Sequence, residues 1–196
     1  MSTIRTLIVS LFVVFRSAAS LKKVKQLDKE KYSTEEYQQL VQQVPKEAGR
    51  KIFKSTGSKI IVQGEEKIVD TPVLFVSNHQ GNFDIFALLG FLRKPFGFIS
   101  KIEVKQVPIV RTWMEVMDCL FLDRKDRRQS LKTFKRGIEL LKEGHSLLIF
   151  PEGTRSKQDE MQAFKSGSLS LAKKAGVPVQ PVMLRGTYRI MEANEN

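Results

Sequence analysis

The sequence predicts an α/β fold: a single domain with a mixed, mostly parallel sheet covered by helices, preceded by a helical segment suited to a membrane interface. Three observations predict it. From residue 59 onward, short apolar runs alternate with helical stretches, the pattern of a sheet covered on both faces. Arg128–Lys142 carries an apolar stripe at Leu131, Phe134, Ile138 and Leu141, the mark of a helix lying on a core. Residues 1–57 give helix signals only. The expected division is therefore a membrane-associating helical segment at 1–57 and an α/β domain at 58–196.

The elements follow in order. Leu7–Phe15 is apolar and lies between Arg5 and Arg16. Nine residues are too few to span a bilayer core, which takes about 20 in a helix. Arg16 argues against cleavage at the small residues Ser17–Ser20. The run reads as a short helix in the membrane interface, with Arg5, Arg16, Lys22, Lys23 and Lys25 facing anionic headgroups. A hydrophobic helix packed on the domain is the other reading.

Residues 20–31 are charged and compatible with helix. Ser33-Thr34-Glu35-Glu36 is a capping box, followed by Tyr37, Leu40, Val41 and Val44 at helical spacing. Pro45 either kinks this helix or starts another that runs to about Phe53, and Gly57 ends it. Strands are expected at Lys59–Val62, Val73–Ser77, Phe96–Ser100, Cys119–Leu122, Ser146–Phe150 and Val179–Leu184. Helices are expected at Asn82–Leu92, Val110–Met117, Arg128–Lys142 and Ser168–Ala175. No internal repeat or low-complexity linker interrupts them.

Composition narrows the function. With 196 residues and 41% apolar content, the chain can bury a core and is not a disordered class. One cysteine, Cys119, excludes an internal disulfide framework, and two histidines, His79 and His145, argue against a zinc site. Cys119 lies in an apolar run and reads as a buried thiol rather than a nucleophile. His145 follows Gly144 and reads as a surface turn residue. A reducing cytoplasm fits this cysteine usage. The net charge of +12 calls for an anionic partner: nucleic acid, an anionic membrane or a phosphorylated substrate. The basic residues are spread, with small clusters at 16–31 and 124–136, which favours membrane or phosphate over a nucleic-acid arm.

Two segments carry chemistry. In Asn78-His79-Gln80-Gly81-Asn82-Phe83-Asp84, a histidine precedes an aspartate by five positions, just after an apolar run. That spacing does not share one helix face, so His79 belongs in the turn after its strand and Asp84 in the first turn of the next helix, with Asn82 as N-cap. An ionised Asp84 accepting from Nδ1–H would leave Nε2 as a base. By itself the spacing is weak, and without further support a hydrogen-bonded loop histidine is the favoured reading. The second segment, Phe150-Pro151-Glu152-Gly153-Thr154-Arg155-Ser156, also follows a buried strand. Gly153 permits close backbone approach, Thr154 offers a hydroxyl and Arg155 a phosphate-shaped fork. If both strands are parallel, both turns emerge at the carboxyl edge, where open α/β sheets bind ligands. There is no G-x-S-x-G elbow and no Walker A loop.

Taken together, NHQGNFD and FPEGTRS resemble the paired signatures of the glycerolipid acyltransferases, and most closely the bacterial 1-acyl-sn-glycerol-3-phosphate acyltransferases. Two further blocks appear in family order: Ser100–Glu103 with Phe121–Arg124, and Val177–Val182. The resemblance runs from about Val73 to Val182. It implies that His79, oriented by Asp84, deprotonates the sn-2 hydroxyl of lysophosphatidic acid for attack on an acyl thioester. The product would be phosphatidic acid. It further implies that Arg155 and Arg124 hold the phosphate, that Lys101 adds charge, and that Glu152, Gly153 and Thr154 shape the pocket. The oxyanion donor would be a backbone N–H or Lys101. No metal or other cofactor is implied; acyl carrier protein or coenzyme A would bring the acyl group as donor substrate. An anionic membrane surface is the expected partner, nucleic acid is not, and the expected place is the cytoplasmic face of the cell membrane as a peripheral or monotopic protein. Gly81 stands where many relatives carry serine. Acylation of glycerol-3-phosphate or of another lysophospholipid is the alternative. A non-catalytic basic module would explain the charge but not the ordered blocks.

Overall fold

The computed structural model describes residues 2–194. Six helices surround a five-stranded sheet, with short 3-10 turns in the connections. The strands are β1 (Leu74–Ser77), β2 (Gly97–Lys101), β3 (Leu120–Leu122), β4 (Leu147–Ile149) and β5 (Val179–Val182). The helices are α1 (Ser2–Lys25), α2 (Thr34–Ser55), α3 (Phe83–Phe91), α4 (Pro108–Val116), α5 (Arg127–Lys142) and α6 (Ser170–Ala175). The spatial order is β3-β2-β4-β1-β5, and all four pairings are parallel. The expected mostly parallel sheet is thus parallel throughout among the described residues.

Strand side chains alternate between two cores. Phe75, Phe98 and Leu148 face one cluster, shared with Tyr37, Val41, Trp113 and Met117 from α2, α4 and its end. Leu74, Val76, Leu147 and Ile149 face the other, closed by Leu140, Leu141 and Leu171 from α5 and α6. Burial on both faces explains why these strands read as apolar runs rather than as alternating ones.

Helix α1 is longer than the apolar run suggests. It spans 24 residues, and Ile4–Lys25 is long and apolar enough to cross a membrane by length and composition. The nine-residue reading stopped at Arg16, yet Ser17–Lys25 continues the helix. Its inward side mixes polar and apolar contacts: Trp113 Nε1 donates to Ser17 Oγ at 2.9 Å, Thr6 Oγ1 and Arg5 donate to the Ser55 carbonyl, and Leu21 and Val24 join the core. Its exposed side is apolar, with Ile4, Leu7, Ile8, Leu11, Phe12 and Phe15 all more than half exposed.

Helix α2 begins at the expected capping box and is continuous through Pro45, so the proline neither ends nor restarts it. Gly49 of α2 and Gly90 of α3 meet at the helix crossing, where a Cβ on Gly49 would lie 3.1 Å from the Gly90 nitrogen.

Other expectations shift. Lys59–Val62 is irregular and Ile61 is 83% exposed. It has no strand neighbour among the described residues, and strand preference is a preference for a half-buried pleated surface. On α5, Leu131 points to solvent. The inward face begins instead at Thr133, whose hydroxyl donates to the Phe121 carbonyl, and at Gly137, which lets Leu120 and Leu171 approach. His145 is buried, not a surface turn residue: Gln38 Nε2 lies 2.8 Å from its Nδ1. Cys119 is buried as expected, and burial pushes its thiol up to about 12.

Candidate active site

In a parallel sheet every strand delivers its following loop to the same edge. Arg124 follows β3, Lys101 ends β2, Phe150–Arg155 follow β4 and His79 follows β1. Since β4 lies between β2 and β1, the two signature turns emerge side by side. They are then laced together: Ser156 N–H donates to the His79 carbonyl at 2.7 Å and Lys157 N–H to the Gln80 carbonyl at 3.1 Å.

His79 Nδ1 lies 2.7 Å from Asp84 Oδ2. The same oxygen accepts from the backbone N–H of Gln80 at 2.6 Å and of Gly81 at 2.9 Å. Oδ1 accepts a short hydrogen bond from the Thr187 hydroxyl. Asp84 is fully buried, so its charge is held by these donors in place of water. The carboxylate requires the proton on Nδ1, which makes Nε2 the lone-pair nitrogen. The imidazole stacks on Phe150 with ring centres 4.0 Å apart and planes 15° apart. Asn82 does not cap α3 with its side chain; Asp84 binds the N–H groups ahead of the helix instead, and the Asn82 N–H donates to Glu192 Oε1 at 2.7 Å.

A cavity of about 440 Å³ opens beside the imidazole. Its lining joins a polar and cationic set, His79, Lys101, Arg124, Gly153, Thr154 and Arg155, to an apolar set that includes Ile52, Ile85, Phe86, Leu89, Phe98 and Trp113. The structure therefore brings the predicted residues together with one exception. Glu152 is buried behind the wall: Oε1 accepts from His79 N–H at 2.7 Å and Oε2 from Gln162 N–H at 2.9 Å. It braces the histidine backbone rather than shaping the pocket, because a buried carboxylate is held by N–H groups and not by an open cavity. Gly153 has φ of +76°, a left-handed conformation that strains any residue with a side chain.

Sequence reasoning did not reach Thr187, Glu192 or the apolar lining of the cavity. Thr187 and Glu192 lie more than a hundred positions from their partners Asp84 and Asn82, beyond any local spacing. The cavity residues come from α1, α2, α3, α4 and β2; those of one helix share a face, but no local spacing says that these faces meet around one space.

These features define an α/β site in which a carboxylate-held histidine lines a cavity with both cationic and apolar walls. The model of the Acyltransferase family matches residues 59–185, and the chain belongs to that family. It is 45% identical over 135 residues to the chloroplastic 1-acyl-sn-glycerol-3-phosphate acyltransferase of Arabidopsis thaliana, covering 68% of this chain and 38% of that protein. It is 35% identical over 144 residues to a probable 1-acyl-sn-glycerol-3-phosphate acyltransferase of Mycoplasma genitalium, covering 71% of this chain and 53% of that one. The chain thus spans about half the length of these curated relatives or less. The crystal structure of the 1-acyl-sn-glycerophosphate (LPA) acyltransferase PlsC from Thermotoga maritima superposes with a TM-score of 0.77 at 30% identity, over 97% of this chain and 78% of that chain.

Proposed function

We propose that the protein acylates the sn-2 hydroxyl of lysophosphatidic acid from an acyl thioester, yielding phosphatidic acid. The observation that carries this reading is the single cavity that His79 lines together with cationic and apolar side chains. The cationic residues suit a phosphomonoester, and the apolar ones suit a fatty acyl chain. The names of the relatives point the same way.

In the proposed reaction His79 Nε2 takes the hydroxyl proton as the acceptor oxygen attacks the thioester carbonyl carbon. A C–O bond forms, the C–S bond breaks, and the imidazolium returns its proton to the departing thiolate. Asp84 stabilises the imidazolium and keeps the ring turned. The acceptor is itself the nucleophile, so no acyl-enzyme and no cofactor enters this scheme. Arg155, Arg124 and Lys101 hold the phosphate; the Arg124 and Lys101 side chains have no acidic partner among the described residues. Lys125, Arg127 and Arg128 follow Arg124 on an exposed loop and helix start. They give an anionic donor, acyl carrier protein or acyl coenzyme A, a surface to approach. The apolar stripe of α1 supports a membrane location, at the cytoplasmic face in this reading.

An acceptor panel tests the proposal. Lysophosphatidic acid, glycerol-3-phosphate and lysophosphatidylcholine are offered on anionic vesicles with matched acyl-carrier-protein and coenzyme A donors. Lysophosphatidic acid is expected to give the highest kcat/KM by at least about tenfold, since the others lack the apolar chain or the terminal phosphate. A preference for glycerol-3-phosphate would transfer the assignment to the alternative acceptor.

A further inference from the structure

We infer that Glu192 is a positioning residue that presets the Arg155 guanidinium for the acceptor phosphate. The inference rests on the acceptor reading above.

Glu192 lies beyond residue 185, where the family match ends. Its side chain is fully buried. Oε1 accepts from the Asn82 N–H at 2.7 Å and from Arg155 Nη1 at 3.0 Å. One carboxylate oxygen therefore ties the first signature turn to the second. Oε2 is buried without a hydrogen-bond partner, packed over Gly81, where any side chain would collide with it. A half-satisfied buried carboxylate is costly, and the geometry shows what it achieves. Arg155 is 31% exposed and lines the cavity. Among the described residues only its Nη1 is engaged, which leaves Nε–H and Nη2 to a phosphate. A free guanidinium loses rotamer freedom when it binds; one held from behind has lost it already.

The opposite role, a carboxylate occupying the phosphate seat, does not fit. Glu192 is not on the cavity wall, and Lys101 and Arg124 on that wall are not engaged by it. It stands behind Arg155, not in front of it.

The test compares wild type, Glu192→Ala and Glu192→Gln in the full chain. Calorimetric affinity for a short-chain lysophosphatidic acid is measured beside steady-state turnover. The expected result for Glu192→Ala is about tenfold weaker binding and a matching rise in KM, with kcat within about twofold. Glu192→Gln is expected to stay within about threefold of wild type, because its amide oxygen still accepts from both donors. A purely structural role would lower the melting temperature and leave the affinity of the folded fraction unchanged. Unchanged or tighter binding in Glu192→Ala overturns the inference. If that variant does not fold, the comparison moves to Arg155 in Glu192→Gln against Glu192→Leu, with the same readout. The affinity arm judges Glu192; failure of wild-type turnover on lysophosphatidic acid sinks only the acceptor reading.

Discussion

Asp84 lies at a depth where a lone carboxylate would be expelled or protonated, yet four donors surround it: His79 Nδ1, two backbone N–H groups and the Thr187 hydroxyl. The turn Gln80–Gly81 exists to supply two of them. The pair His79 and Asp84 was legible in the sequence because both lie within one turn and the next helix. Thr187 was not, because nothing local marks a threonine more than a hundred residues away. His145 failed for a related reason. A histidine after glycine looks like a surface turn, and only the packing of α2 buries it against Gln38. Burial lowers the His145 pKa, with Asp118 opposing. The native state then binds fewer protons than the unfolded chain. Its contribution is fully present above the unfolded value of about 6.5 and is lost as pH falls through the lower folded value. The melting temperature should therefore fall below about pH 6.5, and His145→Gln should flatten that part of the decline. An identical slope in the variant would remove His145 as the cause.

At the scale of elements, α1 is the one with an apolar outer face. It packs on the protein through Thr6, Ser17, Leu21 and Val24 and turns leucine, isoleucine and phenylalanine to the outside. No such stripe of six large apolar residues is expected on a surface that meets only water. Its apolar character was plain in the sequence; its length was not, because Arg16 looked like an end and is only an interruption. The strands of the sheet were legible as apolar runs flanked by turns, and boundaries differ by a residue or two. Lys59–Val62 shows the limit of that signal, since β-branched residues without a neighbouring strand stay irregular. Replacing Leu11, Phe12 and Phe15 together by serine should abolish most binding to anionic vesicles in a flotation assay. The melting temperature should hold, because these side chains are exposed. Unimpaired flotation of the triple variant would mean that α1 is not the membrane contact.

Across the whole molecule, function follows from strand order. Placing β4 between β1 and β2 sets the histidine turn, the arginine turn and Lys101 along one edge, and the helices on one face leave the cavity beneath them. The α/β class and the paired turns could be read from residue patterns, because each is local. The cavity could not, because it is a space between α1, α2, α3, α4 and the sheet and belongs to no segment. Every role proposed above converges on His79 as the proposed base. Turnover of lysophosphatidic acid by an acyl thioester on anionic vesicles, compared between wild type and His79→Ala, tests it most directly. A loss of about 10²–10⁴-fold in kcat with the acceptor still bound is the predicted result. Transfer by His79→Ala at the wild-type rate would contradict the account.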